Sequence, residues 1–226
     1  EDHQRALIGN GFFLGVEGRE EEWLQERIER HKNPQGPFEV NRNGMWLLVH
    51  EQPLPAGGTV TISTDITARK RAEALQRGRN EVLELLATGA TLEDILSLLV
   101  TTAEEINPDM RGSVLLLDDD GNHLRHGAAP NLPDFYNKAV DGIDVAEGVG
   151  SCGTAAFNGE VVIVEDVQTH PYWEAFKEIA EKADLRACWS QPIFSAGGEV
   201  LGTFAMYYGE PRKPSPLDLE IIETSA

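Results

Sequence analysis

The stretch Asp65-Ile66-Thr67-Ala68-Arg69-Lys70-Arg71-Ala72-Glu73 divides the chain into two kinds of pattern. Before it, short runs rich in β-branched and aromatic residues alternate with turn signals. After it, apolar residues recur at helical spacing, and a longer α/β pattern follows. A strand that ends at Asp65 with a helix starting directly after it predicts two globular bodies joined by a helical connector. That organisation suits the relay of a conformational state better than a single catalytic pocket.

On the N-terminal side, residues 20–31 carry Trp23, Leu24, Arg27 and Ile28 at the spacing of a short amphipathic helix, which ends before Asn33-Pro34. Residues 37–41, 45–52 and 59–64 read as strands. Asn43-Gly44 and the loop from Pro53 to Gly58 are hairpin turns. Three strands and a helix give a thin core for residues 1–67, so this first unit reads as incomplete. The chain opens on Glu1, which suggests an excised piece.

On the C-terminal side, Ala68, Ala72, Leu75, Arg79, Val82 and Leu86 step by about 4, 3, 4, 3 and 4, a heptad rhythm along residues 68–90. Gly78 and Arg79 interrupt it, because glycine weakens a helix and arginine fits a seam poorly. The helix either packs its apolar edge on its own domain or pairs with a second copy. A homodimer through the connector is the expectation taken forward.

Thr91-Leu92-Glu93-Asp94 has the form of a capping box. It opens a helix with Leu92, Ile95, Leu96, Leu99, Val100, Ala103 and Ile106 on one face. Strands follow at residues 112–117 and 123–129, joined by Asp118-Asp119-Asp120-Gly121-Asn122. That acidic turn lacks the downstream glutamate of a calcium loop and reads as a hairpin. Residues 130–186 are irregular, with short helices near 134–140, 153–158 and 173–183 and a strand at 160–165. Strands at 187–194 and 200–208 close the sheet, and a last helix runs from Leu217 through Ala226. Two antiparallel hairpins with a partly helical insertion predict an α+β sandwich with its ligand site between sheet and insertion.

The formal net charge of −19 argues against a nucleic-acid surface, which needs clustered lysine and arginine. Residues 1–67 sum to −5, residues 68–90 to +2 and residues 91–226 to −16, so the connector is the one basic stretch. No apolar run reaches the roughly 20 residues that span a bilayer. Two cysteines, Cys152 and Cys188, do not make a secreted disulfide framework, and a cytoplasmic location is expected.

These residues carry a family resemblance. Trp46-Leu47-Leu48-Val49, Gly57-Gly58-Thr59-Val60, Asp65-Ile66-Thr67 and the charged helix after them resemble the C-terminal half of a PAS domain. Gly18-Arg19-Glu20 through His31 fits the same likeness. The first half of that fold has no counterpart. Residues from about 75 to 226 resemble a GAF domain. The matching motifs are Gly112-Ser113-Val114-Leu115-Leu116-Leu117-Asp118, Gly150-Ser151-Cys152-Gly153-Thr154-Ala155-Ala156, Val162-Ile163-Val164-Glu165-Asp166-Val167 and Leu185-Arg186-Ala187-Cys188-Trp189-Ser190-Gln191-Pro192-Ile193. The resemblance implies a partial PAS domain at 1–67, a signalling helix at 68–90 and a GAF domain at 91–226. The fold implied is a GAF-like antiparallel sheet flanked by helices, preceded by the partial PAS sheet and a connecting helix. It implies a sensory module of a bacterial signal-transduction protein. The output domain, a histidine kinase or a diguanylate cyclase or phosphodiesterase, would lie beyond Ala226.

Within that frame the candidate ligand-binding residues are Cys152, Asp166, Arg186, Trp189, Tyr136 and Trp173. Asp65, Thr67 and Arg69 are the candidate relay residues, with Asp65 either pairing with Arg69 or capping the helix. Trp173, Phe176, Trp189, Tyr136 and Phe157 either line a pocket for a flat ligand or form plain core. Cys152, His170 and Cys188 lack the close pairing of a soft metal site, so no metal is assigned. No cofactor is required by the sequence, and its identity is left open. Gly150-Ser151-Cys152-Gly153 is also similar to a motif of GAF-fold free methionine sulfoxide reductases, but the loop at 168–174 lacks the further cysteines of that chemistry. No catalytic residue is therefore assigned. The remaining alternative is a dimerisation scaffold without ligand.

Overall fold

The computed structural model describes residues 20–33, 36–42, 44–55 and 58–224. Gly18, Arg19, Pro34, Asn43, Gly57 and Ala226 lie outside the described residues, as do the side chains of Trp23 and Arg27, so the readings placed on them stop there. The chain divides into two compact units, Glu1–Ala74 and Leu75–Ala226. The division falls inside the connector helix.

In the first unit, helix α1 (Glu20–Lys32) precedes strands β1 (Phe38–Arg42), β2 (Met45–Pro53) and β3 (Thr59–Asp65). The strands form an antiparallel meander in the order β1-β2-β3. Alternation along β2 sends Leu47 and Val49 inward, where Leu24 and Ile66 are also buried. Strand β3 is exposed along nearly its whole length, with Ile62 62% exposed.

Helix α2 (Thr67–Thr88) is the connector. Its expected heptad seam is largely exposed to solvent: Leu75 is 50% and Leu86 59% exposed, while Val82 is half-buried. Gly78 does not interrupt a seam. It is the buried residue of the helix, and a Cβ there would stand 2.6 Å from Thr102 Cγ2. The glycine lets α2 lie close against α3 (Leu92–Ile106), beside an Arg77–Glu105 ion pair.

In the second unit the Thr91 capping box forms as read. Asp94 N donates to Thr91 Oγ1 at 3.2 Å and Thr91 N donates to Asp94 Oδ2 at 3.1 Å. The buried face of α3 is narrower than the apolar pattern, because Val100 and Ala103 are buried while Leu92 and Leu99 stay exposed. Strands β4 (Arg111–Leu117) and β5 (His123–Ala128) form one hairpin. Strands β8 (Ala187–Phe194) and β9 (Val200–Tyr208) form the other, and β4 pairs with β9. Between them lie α4 (Asp134–Val140), β6 (Ile143–Asp144), α5 (Gly150–Asn158), β7 (Val162–Val164), a 3-10 turn (Pro171–Trp173) and α6 (Lys177–Lys182). Helix α7 (Pro216–Thr224) follows β9.

The six-stranded antiparallel sheet has the order β6-β5-β4-β9-β8-β7. Its edges, β6 and β7, both come from the irregular insertion. The two residues of β6 are too few to show a period and were not read as a strand. The helix read at 173–183 is instead a 3-10 turn and the six-residue α6.

Period-two alternation in β8 and β9 builds a core on each face of this sheet. Cys188, Ala205 and Tyr207 join Leu115, Tyr136, Cys152 and Trp173 in a front core. Trp189, Phe204, Met206 and Tyr208 join Val100, Val114, Ile221 and Ile222 in a back core. The front is roofed by the insertion, and the back by α3 and α7.

Candidate functional site

The front core holds a cavity lined by Leu115, Tyr136, Val140, Ser151, Cys152, Trp173 and Tyr207, with Phe176 beside them. It holds about 280 Å³ of empty space including its mouth, of which only about 20 Å³ accepts the centre of a water molecule. Helix α5 supplies Ser151 and Cys152. It can sit against the sheet edge because position 153 is glycine: a Cβ there would stand 2.5 Å from the Asp144 carbonyl oxygen.

The polar atoms at this cavity are tied to one another. Trp173 Nε1 donates to Ser151 Oγ at 3.0 Å, and Ser151 Oγ donates to the Cys188 carbonyl at 3.4 Å. Tyr207 Oη lies 3.2 Å from Ser113 Oγ and 3.9 Å from Cys152 Sγ. Tyr136 meets Tyr207 edge to face at 5.8 Å between ring centres. Ser190 and Thr203 are fully buried, with their hydroxyls near the Cys152 thiol. Burial pushes the Cys152 thiol up, opposed by the hydroxyls of Ser190, Thr203 and Tyr207. Burial pushes Cys188 up further, with neighbouring Cys152 adding to it. Both thiols are free and buried. A protonated, enclosed thiol is a poor nucleophile.

The candidate ligand residues therefore separate into three groups. Cys152, Tyr136 and Trp173 line the cavity together, as does Phe176. Trp189 lies in the back core, its ring tilted 41° against that of Tyr208 with ring centres 4.7 Å apart. It follows Cys188, and consecutive strand residues point to opposite faces. Asp166 and Arg186 form a partly exposed ion pair at 3.3 Å, in the loop after β7 and just before β8. Neither lines the cavity. Phe157 is 57% exposed and belongs to neither core. Leu115, Ser151 and Tyr207 were missed as site residues. The alternation of Thr203, Ala205 and Tyr207 opposite a Cys188-bearing strand was the signal that could have found Tyr207.

His170 is not brought to the cysteines as a ligand. Its Nδ1 accepts from Tyr172 N at 3.3 Å and caps the 3-10 turn. Among the described residues, one group of metal-type side chains converges: Asp118, Asp120 and His123, within 4.8 Å of one another at the β4–β5 turn. The turn is held by its own bonds, with Asn122 N donating to Asp120 Oδ1 at 2.7 Å.

The relay residues sit in the first unit. Asp65 Oδ1 accepts from Thr67 N at 2.8 Å, so Asp65 caps the start of α2. Bonds from Thr67 hold its carboxyl below the usual range. Arg69 does not pair with Asp65. Its guanidinium bonds Glu39 and Glu73, each at 2.6 Å. Thr67 Oγ1 accepts from the Trp46 backbone at 2.9 Å, which ties the helix start to β2.

A front cavity between antiparallel sheet and helical insertion, with Gly150-Ser151-Cys152-Gly153 opening its covering helix, agrees with the family comparison. The GAF domain model matches residues 89–226. The chain belongs to the GAF domain family. A PAS fold model matches residues 7–74. The chain is 48% identical over 165 residues to the methyl sulfide methyltransferase-associated sensor of Methanosarcina acetivorans, covering 73% of this chain but 16% of that protein. Among solved structures, it resembles the GAF domain of a phosphoenolpyruvate-protein phosphotransferase from Coxiella burnetii. That match has a TM-score of 0.55 and 22% identity over 70% of this chain and 89% of that one. It also resembles the free methionine-R-sulfoxide reductase of Neisseria meningitidis, with a TM-score of 0.50 and 20% identity over 72% and 90% of the two chains. These two likenesses show the fold. Among the described residues, no helix is long and apolar enough to cross a membrane.

Proposed function

We propose that this chain is a sensory module of a signal-transduction protein. It relays a small-molecule or redox signal through α2 and α7 to an output domain, a histidine kinase or a diguanylate cyclase or phosphodiesterase. The observation that carries this reading is the front cavity of a GAF domain, lined by Tyr136 and Trp173 and holding a buried, protonated thiol. The sensor named among its relatives supports it. The cavity as it stands takes an occupant of a few heavy atoms. A larger one requires the Tyr136–Trp173 wall to move, which would itself be a conformational signal.

The segment is non-catalytic in this reading. Reductase chemistry needs an accessible thiolate, whereas Cys152 and Cys188 are enclosed and held protonated. The working unit is a homodimer in a reducing cytoplasm. Leu75, Leu83 and Leu86 on α2, with Leu92 and Leu99 on α3, supply the apolar surface for pairing. Ligand and dimer are read together by native mass spectrometry and sedimentation of the purified chain. The expected result is a dimer at micromolar concentration that carries, or takes up, a small molecule lost on cavity filling by Val140→Trp. Turnover of methionine sulfoxide that disappears in Cys152→Ser would replace this reading with the reductase.

A further inference from the structure

Helix α7 is seated by a buried polar cluster rather than by its apolar face alone. Asp218, in its first turn, is fully buried. Its Oδ1 accepts from Tyr208 Oη at 2.6 Å and from Asn107 Nδ2 at 2.7 Å. Its Oδ2 accepts from Ser215 N and Ser215 Oγ, both at 2.7 Å, and from Arg212 at 3.3 Å. Asp218 N returns a bond to Ser215 Oγ at 3.3 Å, which completes a capping box. Arg212 also lies 4.3 Å over the Tyr208 ring. A buried carboxylate with five donors fixes the rotational register of a helix. A turn of α7 in either direction would carry Asp218 off Tyr208 and Asn107 and leave a charge unpaired.

The residue that holds this latch directly follows one that lines the cavity. Tyr207 points to the front, where its hydroxyl faces Ser113 and Cys152. Tyr208 points to the back and holds Asp218. The pair stands opposite Cys188 and Ala187 on β8, another residue pair split between front and back cores. Arg186 N donates to the Tyr208 carbonyl at 2.7 Å, and Val167 N donates to the Arg186 carbonyl at 2.8 Å, so this rung is fixed from the side as well.

We propose that the Tyr207-Tyr208 rung of β9 couples the front cavity to the seating of α7, so that a shift of Tyr207 is transmitted as loosening of the Asp218 latch. In a close-packed sheet, a backbone shift at Tyr207 is passed to its neighbour on the other face. This rests on the sensory reading for its purpose, but not for its test.

The test is amide hydrogen exchange on the 226-residue chain, comparing residues 219–224 with residues 100–106 of α3. Tyr208→Phe and Asp218→Asn are expected to speed exchange in α7 by about fivefold or more, as loss of one or more buried hydrogen bonds would. Tyr207→Phe, which alters only the front, is expected to speed α7 exchange selectively. Ser113→Ala, which removes the same bond from the other side, serves if that variant folds poorly. Unchanged α7 exchange in Asp218→Asn would overturn the latch. Unchanged α7 exchange in Tyr207→Phe, or an equal effect of that variant on α3 and α7, would overturn the coupling. A chain that binds no ligand and stays monomeric would still give the exchange result, so failure of the sensory reading is separable.

Discussion

Two strand-to-helix joints in this chain use the same residue for the same local purpose and differ in depth. At the end of β3, Asp65 accepts one backbone bond from Thr67 and lies exposed. After β9, Asp218 accepts five bonds from four residues and is fully buried. Both cap a helix start. Water can replace what Asp65 supplies, and it cannot reach Asp218. The same carboxylate chemistry is therefore a local preference at one joint and a constraint on packing at the other.

The comparison breaks first at Asp218. Asp218→Ala leaves the Tyr208 hydroxyl and the Asn107 amide without an acceptor in a dry site, which costs about 3 kcal/mol or more. The check is the urea midpoint and slope of the chain. An effect as small as that at Asp65 would mean that water enters the back core and that depth does not separate the joints.

Alkaline pH tests the front core against the exposed carboxylates. Burial raises Cys152, Cys188 and Tyr207 above their ordinary values, and raises Tyr208 with Asp218 adding to it. Below the unfolded cysteine value of about 9 both states keep their protons, and stability is fully present. Above it the unfolded chain loses protons that the folded chain retains, so stability falls. The slope approaches about 1.4 kcal/mol per pH unit for each group while the folded group stays neutral. Urea midpoints at pH 7.5 and pH 10.5 are expected to drop in the native chain and to drop less in Cys152→Ala. A flat profile would place the thiols in contact with solvent. Asp94 has the opposite sign: Thr91 holds its carboxyl below the usual range, so its contribution is present at neutral pH and lost on acidification.

Gly78→Ala separates two accounts of the connector. If Gly78 were a weak point in an exposed seam, alanine would stabilise α2 by about 1 kcal/mol. With Thr102 only 2.6 Å from the added carbon, overpacking dominates instead, and the thermal midpoint is expected to fall by the equivalent of about 1–2 kcal/mol. A rise would return Gly78 to the seam.

Strands, hairpins and capping were legible because their signals are local. Residues 187–194 and 200–208 match β8 and β9, and the Thr91 box forms with Asp94 in the role usually taken by glutamate. What sequence concealed was the face. Trp189 reads as a binding residue, yet it follows Cys188 on the strand and so faces away from the cavity that Cys188 borders. Asp166 and Arg186 are far apart in sequence and do meet, but beside the cavity rather than in it. Gly78 reads in sequence only as a break in the seam and Asp218 was assigned no role, because a close helix approach and a buried carboxylate depend on partners 24 and 111 residues away, Thr102 and Asn107.

The smallest effects belong to the first joint, and they rank its three relay residues. Arg69 bonds Glu39 and Glu73 at the surface, where screening leaves little net gain, so Arg69→Ala should shift the thermal midpoint less than repeat scatter in 0.5 M salt. Asp65→Asn keeps an acceptor for Thr67 N and should be equally quiet. Thr67→Val differs, because Thr67 Oγ1 takes the Trp46 backbone N–H and a valine of the same shape cannot. That loss is worth about 1 kcal/mol. It should appear as faster exchange of the Trp46 amide, while Asp65→Asn leaves that amide unchanged. If Asp65→Asn instead exposes Trp46 as much as Thr67→Val does, the carboxylate holds the hydroxyl in place. The exposed joint would then be a two-residue device rather than a simple cap.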